Sequence, residues 1–310
     1  MSSVDLSIVT TLYRSAPYLR EFCARVRAAA CPIASAYEII LVNDGSPDDG
    51  LRLALDLQRE DPGIVVVDLS RNFGHHRAAM TGLEYAQGNR IFLIDCDLEE
   101  PPELLTEFDA RIRLGDCDVV YGVQLARKGG WFERFSGNLF YRLFNWLSSI
   151  ELPRNMIMAR LMSRQYVRAL LEHREREVFL AGLWQITGFR QVGLPVEKAS
   201  KGETTYTLNR KLSMLTDSIT AFSNRPLMLI FYVGCTISFL AGSYIAGLVV
   251  AKFMYGIAVD GWTSLIVSVW FLGGLTILFL GVIGIYLSKV FVETKRRPLS
   301  IIRQVHRSHE

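Results

Sequence analysis

Cysteine is scarce in this sequence and lacks any paired spacing: Cys23, Cys31, Cys96, Cys117 and Cys235 are an odd set with no Cys-x-x-Cys. That argues against a disulfide framework, a zinc ribbon or a dithiol redox motif, and the five read as reduced packing residues of a cytoplasmic domain. A strong charge imbalance is also missing. The formal net charge is +3 over 310 residues, and no run alternates basic with aromatic residues, so nucleic acid is not an expected partner. There is no internal repeat and no low-complexity tract. Two stretches, Leu227 to Ala251 and Ser264 to Ser288, contain no charged side chain at all. A transporter would need ionisable groups there, so that class is disfavoured.

Half the residues are hydrophobic and the mean hydropathy is +0.22, an excess concentrated in these two runs. About 20 helical residues cross a hydrocarbon core about 30 Å thick, so each run predicts a transmembrane helix. A buried helical hairpin is the alternative, but core helices seldom run so long without charge. The connection from about Lys252 to Thr263 is too short for another domain, which makes the pair a hairpin with both chain ends on one side. Arg210, Lys211 and Arg225 precede the first span, and Lys289, Lys295, Arg296, Arg297, Arg303 and Arg307 follow the second. The connecting loop carries only Lys252 and Asp260. The positive-inside bias therefore places the N-terminal domain and the C-terminal tail in the cytoplasm. Met1 to Asp5 leads straight into a strand-like run, with no signal peptide expected.

The first 125 residues alternate apolar runs with helical patterns. Strands are expected at Leu6 to Leu12, Glu38 to Val42, Ile64 to Leu69, Ile91 to Ile94 and Val119 to Val123. Helices are expected at Tyr18 to Ala29, Asp49 to Arg59, Arg77 to Ala86 and Pro102 to Arg113. This alternation predicts an α/β domain with a doubly wound, mainly parallel sheet, whose ligands bind at the carboxyl ends of the strands. Two later segments are amphipathic at helical spacing. Phe132, Phe135, Leu139, Leu143 and Leu147 share one face over residues 131–147. Leu208, Leu212, Leu215, Ile219 and Phe222 share another over 207–224. Each either covers the soluble core or lies in a membrane interface. The expected organisation is an α/β domain over 1–206, a juxtamembrane helix over 207–224, two transmembrane helices over 225–290 and a basic tail over 291–310.

Polar residues follow each apolar strand. Asp95-Cys96-Asp97 ends the fourth, and alternation aims the two carboxylates to one side with Cys96 turned away. Carboxylates approach an anionic diphosphate only through a shared cation, and an oxygen-rich site of this kind suits Mg²⁺ or Mn²⁺. Glu99 and Glu100 follow directly. Asp44, in Val42-Asn43-Asp44-Gly45-Ser46, either accepts hydrogen bonds from a base or ribose or belongs to a helix N-cap region with Ser46 and Asp48. His75 and His76 are adjacent, which points their rings differently, so a metal-binding pair is not expected.

Several motifs together carry a resemblance. They are Val42 to Ser46, Ser70-Arg71-Asn72-Phe73-Gly74, Asp95 to Glu103, Arg160-Leu161-Met162-Ser163-Arg164, Gly188-Phe189-Arg190-Gln191 and Ser223-Asn224-Arg225-Pro226-Leu227. The sequence resembles, over nearly its whole length, the polyprenyl-phosphate glycosyltransferases of glycosyltransferase family 2. These include dolichyl-phosphate mannosyltransferases and bacterial undecaprenyl-phosphate glucosyltransferases. The resemblance implies a GT-A fold and inverting transfer from a nucleotide sugar, UDP-linked in bacterial relatives, to a polyprenyl phosphate. It also implies a divalent cation, a multi-pass place in the bacterial inner membrane, and a homo-oligomer, a tetramer in the family. Carried over by position, Asp44, Tyr13 and Asp95 contact the nucleotide. Asp97 and Asp95 ligate the metal, with Glu99, where the family usually has glutamine, as a further ligand.

The departures are specific. The family usually reads Asp-Phe before Arg160, and Met158-Ala159 stands here instead. Either activity is lost, leaving a membrane scaffold, or no base is needed because a phosphate monoester, with a second pKa of about 6, is already ionised. The intact metal motif favours the second. Thr11 replaces the family's proline before Tyr13, and Thr204-Thr205-Tyr206 replaces Ser-Lys-Tyr, leaving Lys201 as the nearby cation. An anionic acceptor drawn to an anionic donor requires cations, and Arg127, Lys128, Arg160, Arg164 and Lys201 are the candidates. Arg127 and Arg160 match motif positions, and Arg160 joins Asp95 and Asp97 as an expected catalytic group. A processive polysaccharide synthase shares the sheet but usually carries Gln-x-x-Arg-Trp and more spans, which are not found here.

Overall fold

The structure, a computed structural model, describes residues 4–124, 146, 153, 155–176, 178–197, 223–255 and 261–307. The chain divides into two compact units. Met1–Tyr141, Ile150–Thr207 and Arg296–Glu310 form one, and Arg142–Ser149 and Leu208–Lys295 the other.

In the first unit the expected alternation is present: β1 (Leu6–Leu12), α1 (Ala16–Ala30), β2 (Tyr37–Asn43), α2 (Gly50–Glu60), β3 (Ile64–Leu69), α3 (His75–Tyr85), β4 (Arg90–Leu93), α4 (Leu104–Ile112) and β5 (Val119–Gln124). Then follow β6 (Met156–Ser163), α5 (Arg164–Glu172), α6 (Leu180–Ile186), β7 (Gln191–Val196) and β8 (Ile302–His306). α1 starts earlier than its apolar periodicity indicates because Pro17 occupies the first turn, where its missing N–H costs nothing.

The eight strands form one sheet in the order β7-β5-β6-β4-β1-β2-β3-β8. β3, β2, β1 and β4 are mutually parallel. β6 is antiparallel to both β4 and β5, and β7 runs parallel to β5. The parallel strands are buried on both faces, as crossover helices require. Leu6, Ile8 and Leu12 join Phe22 and Val26 of α1, Leu57 of α2 and Phe108 of α4 in one core. Each such side chain contributes about 1.5–3 kcal/mol on burial. α3 packs on β1 and β2 closely enough that a Cβ at Gly82 would lie 2.5 Å from Val9 and 2.8 Å from Val42.

The segment expected as a basic tail instead supplies an edge strand. β8 pairs antiparallel with β3 from Val66↔His306 to Leu69↔Ile302 and covers backbone groups that an open edge would expose. Two of the arginines counted above as tail charges form ion pairs there: Arg303 with Asp68 at 3.1 Å and Arg307 with Glu38 at 3.6 Å.

The second unit contains α7 (Arg225–Tyr255) and α8 (Trp262–Thr294), both extending past the charge-free runs. Within them Arg225–Tyr244 and Ser268–Thr294 are long and apolar enough to cross a membrane. Phe239, Trp270 and Ile277 are exposed, and the Tyr286 hydroxyl donates to the Ser223 carbonyl at 2.7 Å. Apart from Trp146, Ser223 and Asn224, the amphipathic segments 131–147 and 207–224 lie outside the described residues, as do Arg127, Lys128 and Lys201.

Candidate active site

The order 3-2-1-4 of the parallel strands puts a topological switch between β1 and β4, and in open sheets of this kind ligands bind beyond the carboxyl ends of the strands at such a point. Asp95 and Asp97 sit there, two and four residues past the end of β4. Both are partly buried, whereas Cys96 is 2% exposed and belongs to the core, so the alternation read from the sequence holds. The loop then turns through Leu98 in the left-handed region, at φ 61°, a conformation costing a non-glycine residue about 1–3 kcal/mol. The Asp97 carboxylate accepts from Glu99 N at 3.0 Å and braces this turn.

Glu100 is the residue that sequence reasoning passed over. It is 1% exposed, and its two oxygens accept from Met158 N at 3.0 Å and Ala159 N at 2.7 Å. A buried carboxylate bound to two backbone donors thus ties the acidic loop to the start of β6. The signal available was the run of acidic residues followed by Pro101-Pro102, where one acid had to turn inward.

His75 was also undervalued. Read as half of an adjacent pair, it separates from His76, whose Nδ1 lies 3.0 Å from the Val178 carbonyl. His75 opens α3, with Nδ1 3.0 Å from Thr11 Oγ1 and Nε2 3.4 Å from Asp95 Oδ1. It therefore bridges the ends of β1 and β4. Burial draws its imidazole below the ordinary histidine range, against the pull of Asp44 and Asp97. The N-terminus of α3, preceded by Gly74 at φ 98°, offers the positive end of a helix dipole at the same place.

The loops after β2 and β3 close the other side. Asp44 is 1% exposed and accepts from Phe73 N at 2.7 Å and Gly74 N at 3.0 Å. Burial raises its carboxyl above the usual range, with the two backbone donors working against that shift. Of the two readings open for the Asp44 region, the helix-start one is met by two residues: Asp44 accepts from the backbone that opens α3, and Asp48 accepts from Gly50 N at 3.1 Å and Ala16 N at 3.0 Å. Gly45 is required twice over. Its φ is 59°, and a Cβ there would lie 2.5 Å from the Arg71 and Asn72 backbone. Tyr13 stands exposed at the end of β1, followed by Arg14, whose N donates to Ser46 Oγ at 2.8 Å.

Two expected phosphate-binding arginines are placed elsewhere. Arg160 is fully buried beneath Trp184 and beside Tyr121, with Nη1 lacking a hydrogen-bond partner. Burial pulls its guanidinium down to about 9. That placement does not fit direct contact with a lipid phosphate or with reacting atoms. Arg164 fails for a reason of register. β6 is antiparallel to β4, pairing Arg160 with Leu93 and Ser163 with Arg90, so Arg164 N reaches Asn89 O at 2.9 Å and its side chain bonds to Ala86 O. It lies at the amino end of β4, roughly 20 Å along the strand direction from Asp95 at about 3.3 Å per residue.

Residues 7–171 match the family model described as glycosyl transferase family 2. A relative from Mycobacterium tuberculosis, named as a glycosyltransferase, is 50% identical over 98% of this chain and 89% of its own length. A glycosyltransferase of Synechocystis is 37% identical over 97% of this chain and 95% of its own. A prophage bactoprenol glucosyl transferase homolog of Escherichia coli is 30% identical over 97% and 99%. Among solved structures, a mannosyltransferase from Pyrobaculum calidifontis in complex with GDP-Man and Mn²⁺ covers 93% of this chain and 84% of its own, at 13% identity and a TM-score of 0.49, too distant to carry residues across. The doubly wound, mainly parallel sheet is GT-A-like, as the resemblance implied. With its family model spanning most of the α/β unit and relatives aligned from end to end, this chain belongs to glycosyl transferase family 2.

Proposed function

We propose that this enzyme transfers a sugar from a nucleotide diphosphate carrier, UDP in the first instance, to polyprenyl phosphate, with inversion at the anomeric carbon. The observation that carries the reading is the acidic loop after β4 at the sheet's switch point, in a chain that also holds two helices of membrane-crossing length. Relatives named bactoprenol glucosyl transferases support a lipid acceptor.

The family implies a divalent cation. Among the described residues no three His, Cys, Asp or Glu side chains already converge as a ligand set. The donor chemistry nevertheless fits, because Mg²⁺ is commonly held by one or two carboxylates with substrate phosphates completing the shell. Asp97 and Asp95 would hold it, with Glu99 next in reach along the loop. When bound, the cation offsets charge on the departing diphosphate. Asp44 and Gly45 shape the nucleotide side of the crevice, Tyr13 offers an exposed ring at its rim, and the α3 N-terminus with His75 faces the anionic part of the donor. The acceptor needs positioning more than deprotonation, since its phosphate oxygen is already ionised. The cations that draw it in are then Arg127 and Lys201.

In this reading α7 and α8 form a transmembrane hairpin of the bacterial inner membrane, with the α/β unit cytoplasmic and homo-oligomers, tetramers included, allowed. A reporter fused after Glu310 should be active only in the cytoplasm. The decisive assay presents radiolabelled UDP and GDP sugars with undecaprenyl phosphate to the purified full chain. Label should move into the lipid fraction with one donor class. Label released only as free sugar, or retained on the nucleotide with every donor, contradicts the proposal.

A further inference from the structure

β8 follows α8 after a short connection, residues 295–301, and runs along the edge of β3. Its pairing register slips between Asp68 and Leu69, at the end of β3 that leads into the loop with Arg71 and Phe73. Several bonds converge at that slip. Arg303 donates from Nη1 to Asp68 Oδ2 at 3.1 Å and from Nη2 to the Ser70 carbonyl at 2.8 Å, while Ser70 N donates to the Ile301 carbonyl at 2.8 Å. The other Asp68 oxygen accepts from Asn43 Nδ2 at 2.7 Å, and Asn43 Oδ1 accepts from Ser46 N at 3.2 Å. On α3, Thr81 Oγ1 lies 2.7 Å from Ser300 Oγ.

We propose that Arg303 is a positioning residue for the nucleotide pocket, holding the loops after β2 and β3 through Asp68 and Ser70. The inference rests on the reading of those loops as the nucleotide side of the crevice. Asp68 is 3% exposed, and a buried carboxylate deprived of its cationic partner must shift toward other donors or open its surroundings to water. Either change reaches Asn43 and the Ser70 backbone. From there it reaches Asp44, whose carboxylate spans from β2 to Phe73 and Gly74. Strand pairing alone would keep β8 in place without fixing these loops, so the guanidinium has a role separable from the edge strand. A segment that follows the membrane-length helices thereby helps to form the donor site.

The test uses the full chain with Mn²⁺ and either uridine or guanosine diphosphate, whichever the wild type binds. Arg303→Met keeps the aliphatic stem and removes the fork. Because Arg303 is more than half exposed, the loss is about three- to tenfold in nucleotide affinity and in donor KM, with kcat within twofold. Arg303→Lys should recover part of it. Gln304→Ala, at the neighbouring exposed position of the same strand, should change neither affinity nor KM. Thermal unfolding without nucleotide separates the effects. A lower unfolding midpoint in Arg303→Met with wild-type affinity and KM would overturn the inference and leave β8 a purely structural strand. A wild-type protein that binds neither diphosphate would overturn the donor reading itself, and the inference with it.

Discussion

The loops after β2 and β4 both carry acidic residues at the same carboxyl end of the sheet, yet they use them differently. Asp44 is sealed at 1% exposure with both oxygens on backbone N–H groups, whereas the Asp95 side chain is 31% exposed and meets a histidine. A sealed carboxylate fixes loop geometry, and a half-open one can still meet a cation. Within the β4 loop the division repeats, since Glu100 is sealed on β6 while Asp95 and Asp97 stay part-exposed. Acidic residues three or five positions apart therefore differ in kind: Glu100 is a brace, and Asp95 and Asp97 are the proposed ligands.

Removing the brace of the β4 loop should have the larger effect. Glu100→Gln keeps one acceptor but turns an amide N–H₂ toward a backbone donor, leaving a buried group unsatisfied at about 1–3 kcal/mol. With Leu98 already strained, we expect both a lower unfolding midpoint and a turnover reduced by at least about tenfold through misplaced metal ligands. Wild-type turnover in a destabilised Glu100→Gln protein would show that the brace and the ligands are independent.

Asp44→Asn should act mainly on binding. Folding raises the Asp44 pKa, so its ionised form opposes the fold at pH above the unfolded carboxylate value. That penalty grows as pH rises through the folded value and is constant beyond it. Asparagine relieves it while losing one of two backbone acceptors, so at pH 7 the unfolding free energy should change by no more than about 1 kcal/mol. Nucleotide affinity, measured by calorimetry, should still fall about tenfold as the loop holding Phe73 and Gly74 loosens. A variant that unfolds outright with unaltered affinity would reverse the assignment.

The smallest effect is expected at Met158. Its backbone is already fixed by Glu100, and an ionised acceptor needs no base. Met158→Asp should change the rate only a few-fold at saturating polyprenyl phosphate, against the 10²–10⁴-fold that a general base typically contributes. A wild type inactive on every donor, with an efficient Met158→Asp variant, would mean that this chain has lost a necessary base.

Much of this was legible in the sequence because it rests on local periodicity. Strand and helix positions through Gln124 follow from apolar alternation, and the aim of Asp95 and Asp97 follows from Cys96 facing the core. What was not legible depends on pairing between distant segments. Arg164 lies near Arg160 in sequence, but antiparallel pairing of β6 carries it to the far end of β4. Arg160 matched a motif, and only the packing of α6 and β5 around it shows that Trp184 and Tyr121 cover it. Arg303 and Arg307 counted as tail charges because a five-residue strand offers little pattern, and its partner β3 lies far away in sequence.

Asp97 is the proposed ligand whose loss should matter most. Transfer to undecaprenyl phosphate should be measured side by side for the wild type and Asp97→Ala, each in Mn²⁺ or Mg²⁺ and in excess chelator, with unfolding midpoints recorded for both. The expected result is lipid-linked product from the wild type only when metal is present, and none from Asp97→Ala despite an unchanged midpoint. Full turnover in chelator, or in the Asp97→Ala protein, would contradict the assignment of the β4 loop as a metal-assisted transfer site.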